Sequence, residues 1–284
     1  MKLVRFGAAG AEKPGLVDAA GALRDLSGII SDLGAATLDQ ATLDRLRGLD
    51  VAALPVVAGQ PRLGPCVAPP GKVIGVAINY RLHGVETGSK QPTEPVLFLK
   101  APNAVCGAYD PILLPPGSEK LDWEIELGVV IGKRACNITE AEALEYIAGY
   151  CVVDDVSERA FQLERGGQQH TKGKSFDSFC PLGPYLVTRD EVPDPQNLTL
   201  WTRVNGTMMQ NGQTADMLFS VARLISYISE FMTLLPGDVI ATGTPDGVGR
   251  GHTPPVYLKA GDVIELGIAG LGEQRHTVMA WQPV

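Results

Sequence analysis

The stretch Leu121–Ile131, LDWEIELGVVI, constrains this chain more than any other. Its side chains alternate as in a strand: Trp123, Ile125, Leu127, Val129 and Ile131 point to one face, and Glu124, Glu126 and Gly128 to the other. Two residues of strand rise set the Cα atoms of Glu124 and Glu126 roughly 6.5 Å apart on one face. Ionised carboxylates that close repel, more strongly in a partly dry site. A hard divalent cation such as Mg²⁺ or Mn²⁺, which takes oxygen ligands, resolves the repulsion. A second face open to water, with both carboxylates solvated, resolves it too.

The length, 284 residues, suits one large domain or one domain with a small companion, and 45% hydrophobic residues supply a core. A formal net charge of -8 with no Lys/Arg run argues against nucleic acid or an anionic membrane as partner. No apolar run approaches the ~20 residues of a membrane span. The start, MKLVRFGAAG, lacks the apolar segment of a secretory signal. Cys66, Cys106, Cys136, Cys151 and Cys180 are scattered and form no CxxC pair, which fits a reducing cytoplasm. Neither GxGxxG nor GxxxxGK[ST] occurs, so nucleotide binding has no support.

Short strands are expected at Lys2–Phe6, around Leu16-Val17 and at Ala22–Leu26. A capping box at Thr37 and Gln40 should open a helix carrying Leu43, Leu46 and Leu49. The prolines Pro55, Pro61, Pro65, Pro69 and Pro70 crowd a boundary between a small N-terminal α+β domain, residues 1–65, and a larger domain, residues 66–284. The larger domain should be mainly β. Its predicted strands include Val73–Ile78, Val96–Lys100, Tyr150–Val153, Asp238–Ala241, Val263–Ile268 and Thr277–Trp281. Asn205-Gly206 signals a hairpin turn, and Ser220 should cap a helix that Pro236-Gly237 ends. Thr139 and Glu142 read as a capping box for a short helix running to about Ala148-Gly149. The polar segment from Arg81 to Pro95, with Gly84, Gly88, Pro92 and Pro95, is expected to be a mobile lid.

Several residues could carry chemistry. Asp154 and Asp155 end a strand expected beside Leu121–Ile131, and either could join Glu124 and Glu126 around an ion that keeps positions open for substrate. His83 and Glu86 are three apart and share a face if one helical turn forms, which suits an oriented general base on water; a surface His beside a surface Glu has the same spacing. Lys174, between Gly173 and Ser175, suits a carboxylate or enolate oxygen, or is a solvated loop lysine.

From about Lys72 to Trp281 the chain resembles the fumarylacetoacetate hydrolase family. The resemblance rests on seven blocks in order: INYRLHGVE, VLFLKAPNAVCG, LDWEIELGVVIGK, GYCVVDDVSER, KGKSFDSFCPLGP, VNGTMMQNGQTADM and TGTPDGVG. It implies a mixed β-roll catalytic domain, a homodimer, and Mg²⁺ or Mn²⁺ on Glu124, Glu126 and Asp155. It also implies a catalytic His83–Glu86 pair on a lid, Lys174 in the pocket, and substrate contacts from Tyr80, Arg81, Arg159, Gln162, Gln210 and Thr244. Ala160 and His276 depart from the family pattern, which often has an acid and an asparagine there.

The opening KLVRFGAAGAEKPGLVDAAGALRDLS and the block EKLDWEIELGVVIG are similar to the branch acting on 2,4-diketo-3-deoxy sugar acids. The implied reaction is metal-dependent hydrolysis of a carbon–carbon bond in a rhamnonate- or fuconate-type diketo acid, giving pyruvate and lactate. Acylpyruvate or fumarylpyruvate hydrolysis, oxaloacetate decarboxylation and ureidoglycolate cleavage on the same site are the alternatives, with a non-catalytic keto-acid-binding protein as a rival of another class.

Overall fold

A strand with apolar residues on one face and small or acidic residues on the other can be covered on both sides. In the computed structural model, which describes residues 1–165, 167 and 169–282, Ile125–Ile131 is such a strand, and all seven of its residues are buried. Each fully buried Val, Leu or Ile side chain contributes about 1.5–3 kcal/mol. The wet second face that could have solvated the two glutamates is therefore absent.

The strand sits inside an eleven-stranded mixed sheet. It pairs antiparallel with Ile147–Asp154 on one side and Val239–Ala241 on the other. Val239–Ala241 runs parallel to Val73–Ala77, and Val96–Lys100 closes that edge. On the other edge Leu186–Thr188 pairs with Lys2–Phe6, so the N-terminal strands Lys2–Phe6, Lys13–Val17 and Leu23–Asp25 continue the same sheet.

A second, five-stranded sheet runs Thr207–Gln213, Thr199–Val204, Val263–Ile268, Gly272–Ala280, Ile112–Leu114. It packs over Ile125–Ile131 and Ile147–Asp154. The fold is α+β and mainly β, a mixed roll around one core. Among the described residues no helix is long and apolar enough to cross a membrane.

Val96–Lys100 and Val263–Ile268 form where the sequence predicts them. Asn205 and Gly206, with φ of 51° and 79°, make the two-residue turn of the Thr199–Val204 and Thr207–Gln213 hairpin. Ser220 caps the helix Val221–Phe231 by accepting from the Arg223 N–H, but that helix stops before Pro236.

Other expectations are corrected. Leu121–Ile131 is not one strand: Leu121–Asp122 pairs with Ser157–Glu158, and the sheet strand starts at Ile125. The break arises because the Asp122 side chain takes the Trp123 N–H at 2.9 Å and the Asp154 side chain takes the Glu124 N–H at 2.9 Å. The helix Gln40–Arg47 is capped by Asp39, whose carboxylate accepts from Thr42, while the Thr37 hydroxyl turns back to the Asp32 carbonyl. After Thr139 and Glu142 only a 3₁₀ turn, Ala143–Tyr146, forms, because strand pairing with Ile131 already begins at Ile147. The last strand is Gly272–Ala280, longer than its apolar end suggested, since Val263–Ile268 pairs with its polar half.

Candidate metal centre and its cavity

Strand register builds the acidic cluster. Val153 lies opposite Glu126 and Asp154 opposite Ile125. One step further, the Asp155 N–H donates to the Glu124 carbonyl at 2.8 Å. Residues facing each other across an antiparallel pair project to the same side, so Asp155 joins Glu124 and Glu126 while Asp154 points away. One carboxylate oxygen from each of the three lies within 4.8 Å of the others, and all three residues are buried. Asp154 supports the cluster from behind: one oxygen takes the Glu124 N–H, the other has no partner among the described residues, and burial pushes its pKa up to about 7.

Cations surround two of the three carboxylates. Lys174 Nζ, on the short helix His170–Lys174, donates to Glu124 at 2.6 Å and to Asp155 at 2.5 Å. Lys100, at the end of its strand, donates to the other Asp155 oxygen. Arg159 bridges Asp122 and Glu124 at 2.8 and 2.7 Å. Burial alone raises the Glu124 carboxyl, but Lys174 and Arg159 outweigh it and hold Glu124 well below the usual carboxylate range.

Glu126 is different. It takes the Gly243 N–H at 2.8 Å but has no cationic side chain in ion-pair range among the described residues. Burial first, then the charges of Asp155 and Glu124, push it well above the ordinary range. A buried, under-neutralised carboxylate beside two others is the oxygen donor set that a hard divalent ion takes. The residues fit such an ion.

Residues Arg81–Glu86 form a helix over this cluster. One turn places His83 and Glu86 together, with Nδ1–H donating to Glu86 Oε1 at 2.9 Å. The other Glu86 oxygen takes the Gly247 N–H at 2.8 Å. Glu86 thereby fixes the tautomer that leaves His83 Nε2 its lone pair. Gly247, at φ 99°, approaches the backbone so closely that a Cβ would sit 1.9 Å from the Met209 carbonyl. Ile78 also holds a left-handed φ, 52°, just before the helix. The buried Asn79 amide locks that bend by bonding to Phe219 and Thr242.

A cavity of about 430 Å³ opens between the helix and the cluster. His83, Glu124, Glu126, Arg159, Gln162, Lys174 and Thr244 line it. A π-type turn over Ala160–Glu164 turns Gln162 inward, where it accepts from Arg159 at 2.9 Å. Gln210 lies behind the wall, donating to Thr244 Oγ1 at 2.8 Å. Tyr80 is buried but is not among the residues lining the cavity, and its hydroxyl is unpaired among the described residues. The structure does not bring Arg81 into the cavity: its side chain is exposed on the helix.

Sequence reading missed Lys100, Asp122, His170 and Arg250. Asp122 is two residues before Glu124, so the alternation that exposed the glutamates could have included it. It anchors Arg159 and takes the N–H groups of Gly249 and Arg250 at 2.7 and 3.0 Å. No local pattern marks the other three. His276, the departure near the last strand, lies outside the cavity, with Nδ1 2.7 Å from the Asp110 carbonyl and Nε2 3.0 Å from Gln274 Oε1.

The sequence matches the family model for fumarylacetoacetate hydrolase, C-terminal, over residues 72–279. The chain belongs to the fumarylacetoacetate hydrolase family. A provisionally named hydrolase of Burkholderia cenocepacia is 58% identical over 275 residues, covering 96% of this chain and 97% of that one. A fumarylacetoacetate hydrolase from psychrophilic Exiguobacterium antarcticum superposes with a TM-score of 0.83 at 37% identity, covering 99% of this chain and all (100%) of that one. Maleylpyruvate hydrolase from Sphingobium sp. SYK-6, solved in complex with manganese(II) and pyruvate, superposes with a TM-score of 0.81 at 31% identity, covering 99% and 100% of the two chains. This family of metal-dependent acylpyruvate-type hydrolases and isomerases makes the chain an enzyme of that general kind.

Proposed function

We propose that the chain hydrolyses a carbon–carbon bond in 2,4-diketo acids with the help of a divalent ion. The observation that carries this is one cavity faced by both a buried three-carboxylate cluster and an oriented His–Glu pair. Glu124, Glu126 and Asp155 would hold Mg²⁺ or Mn²⁺, a choice supported by their all-oxygen donor set and by the manganese(II) and pyruvate of the Sphingobium protein. When bound, the ion supplies Lewis-acid stabilisation of negative charge on the α-keto acid oxygens.

The chain's own residues do the rest. His83 Nε2, with Glu86 holding its tautomer, takes a proton from water as the oxygen adds to the 4-keto carbon. The bond between C3 and C4 then breaks, and His83 returns the proton to C3. The Lys174 ammonium donates to the oxygen on which charge develops. Arg159, Gln162 and Thr244 orient the head of the substrate, with Gln210 and Tyr80 behind them; Arg81 would reach it only if the helix moved. Products are pyruvate and a carboxylic acid. The resemblance of the N-terminal block supports a rhamnonate- or fuconate-type sugar acid, with lactate as the second product. The same proposal includes a homodimer, a small N-terminal domain of residues 1–65, and a cytoplasmic location, which the free state of all five cysteines supports.

A pyruvate-release assay across 2,4-diketo acids, with Mg²⁺, with Mn²⁺ and with chelator, tests the reading. Metal-dependent release of pyruvate with an equimolar acid is expected. Carbon dioxide from oxaloacetate, or glyoxylate with urea from ureidoglycolate, as the fastest reaction would replace it with decarboxylation or lyase action. Keto-acid binding without any product would make the chain a binding protein.

A further inference from the structure

We infer that His170 is a specificity-determining residue, a neutral hydrogen-bond donor that reads an uncharged oxygen on the acyl half of the substrate. The inference rests on the diketo-acid reading and deepens it: the tail so selected carries a hydroxyl on C5, as a rhamnonate- or fuconate-type diketo acid does.

The hydrogen-bond chain fixes which ring nitrogen holds the proton. Arg159 can only donate, so the Gln162 oxygen is the atom that faces it, at 2.9 Å. The Gln162 amide nitrogen, which can only donate, is then the atom turned to His170 Nδ1, 3.4 Å away. A hydrogen on Nδ1 would set two donors against each other. Nδ1 is therefore the acceptor, and the hydrogen sits on Nε2. Burial, then the like charge of Lys174, hold the pKa of this ring below the ordinary imidazole value, so it is neutral at pH 7. His83 has the opposite tautomer, with its hydrogen on Nδ1 toward Glu86. One histidine thus offers the cavity a lone pair and the other an N–H.

Packing holds the donor in place. His170 lines the cavity, half-buried, with its ring centroid 5.4 Å from that of Phe98. Its Nε2 has no partner among the described residues. The helix that His170 opens ends at Lys174, whose ammonium lies 5.2 Å from the centre of the same Phe98 ring. Lys174 in turn rests on Glu124 and Asp155, where the keto-acid head belongs. His170 therefore stands about one helical turn, roughly 5.4 Å, from the residue that marks the head, which is the reach of an oxygen farther along the same substrate.

Charge decides the kind of oxygen. The ring is neutral, so it does not offset the cost of drying an anion. A hydroxyl oxygen pairs with it at little such cost, whereas an alkyl tail leaves the N–H unpaired in a dried wall.

Two uncleavable probes test this on the Mg²⁺-loaded protein. 5-Methoxy-2-oxopentanoate and 2-oxoheptanoate share the α-keto acid head and chain shape, lack a 4-keto group, and differ by an ether oxygen against a methylene on C5. The ether accepts a hydrogen bond and, unlike a hydroxyl there, cannot close onto the keto group. Calorimetry gives the affinity ratio of ether to alkyl probe. His170→Phe, which keeps an aromatic ring against Phe98, should lower that ratio about fivefold with the alkyl probe little changed, in line with one neutral hydrogen bond. His170→Gln, which keeps an N–H near the place of Nε2, should restore part of the ratio. Nitrogen NMR of the parent protein, labelled at histidine, needs no variant and should show His170 with its hydrogen on Nε2.

A hydrogen on Nδ1 overturns the donor, and a ratio that survives His170→Phe overturns the selection. Equal weakening of both probes also overturns it, since His170 then serves the shared head through Gln162. If neither probe binds and no diketo acid is cleaved, the diketo-acid reading falls and takes this inference with it. If cleavage is found but the ratio does not move, the role of His170 alone falls.

Discussion

Glu126 is the carboxylate that most needs an ion. Glu124 and Asp155 each touch a lysine, whereas Glu126 faces their charges with one backbone N–H for support. Glu126→Gln should therefore have opposite effects with and without metal. In chelator the variant should melt at a higher temperature than the parent, because a repelled buried charge is gone. With Mg²⁺ or Mn²⁺ present, ion affinity should fall at least about tenfold, as loss of one anionic ligand implies. Calorimetric titration of the ion together with melting curves in chelator checks both; unchanged affinity would show that Glu126 is not a ligand. His83 acts on the other side of the cavity. His83→Ala should lower diketo-acid hydrolysis by roughly a hundredfold, the usual worth of a general base, with ion affinity unchanged. Any oxaloacetate decarboxylation, which needs an electron sink and no base on water, should survive far better. Equal loss of both activities would remove His83 from the role of water-activating base.

The elements that carry the site differ in how plainly the sequence announces them. Period-two alternation exposed Glu124 and Glu126, because burial on both faces still leaves inward and outward positions distinct. It could not choose between Asp154 and Asp155, since the choice depends on register against a strand more than twenty residues away. The helix Arg81–Glu86 was legible only as a His–Glu spacing: six residues beginning with Arg81 and containing Gly84 have little helical tendency of their own. What fixes the helix is tertiary contact, above all Glu86 reaching Gly247. The π-type turn over Ala160–Glu164 follows Arg159, which Asp122 pins, and no local periodicity announces it. Gly251 tests this view of the helix. A Cβ there would lie 2.4 Å from Glu86 Oε2, so Gly251→Ala should push the carboxylate off Gly247 and loosen His83. Turnover should drop about tenfold or more, the scale of a misplaced catalytic group, while ion affinity stays as it was. Turnover within about twofold of the parent would mean that the Glu86 anchor is dispensable.

At the scale of the whole molecule, the two sheets are joined by a polar lock whose central member titrates. Gln274 donates to the carbonyls of Val152 and Gly183 at 2.9 Å each, tying the Gly272–Ala280 strand to the central sheet. Those bonds fix its amide, so its oxygen faces His276 Nε2. The fully buried ring has acceptors at both nitrogens, which favours a cation, but burial outweighs this and pushes the pKa down to about 4. The folded ring is then neutral at pH 7, while the unfolded one titrates near 6.5. A depressed folded value means that the unfolded chain binds the proton first, so stability is complete above about pH 6.5 and declines as pH falls toward 4. Between pH 7 and pH 5 this one group should withdraw about 2 kcal/mol. Other carboxylates titrate in the same range, so the parent must be compared with His276→Asn, which keeps a donor and an acceptor but carries no proton. Urea unfolding at pH 7 and pH 5 should show the parent losing about 2 kcal/mol more than the variant over that interval. If the parent instead gains stability relative to His276→Asn on acidification, the two acceptors have won and the lock is held by an imidazolium.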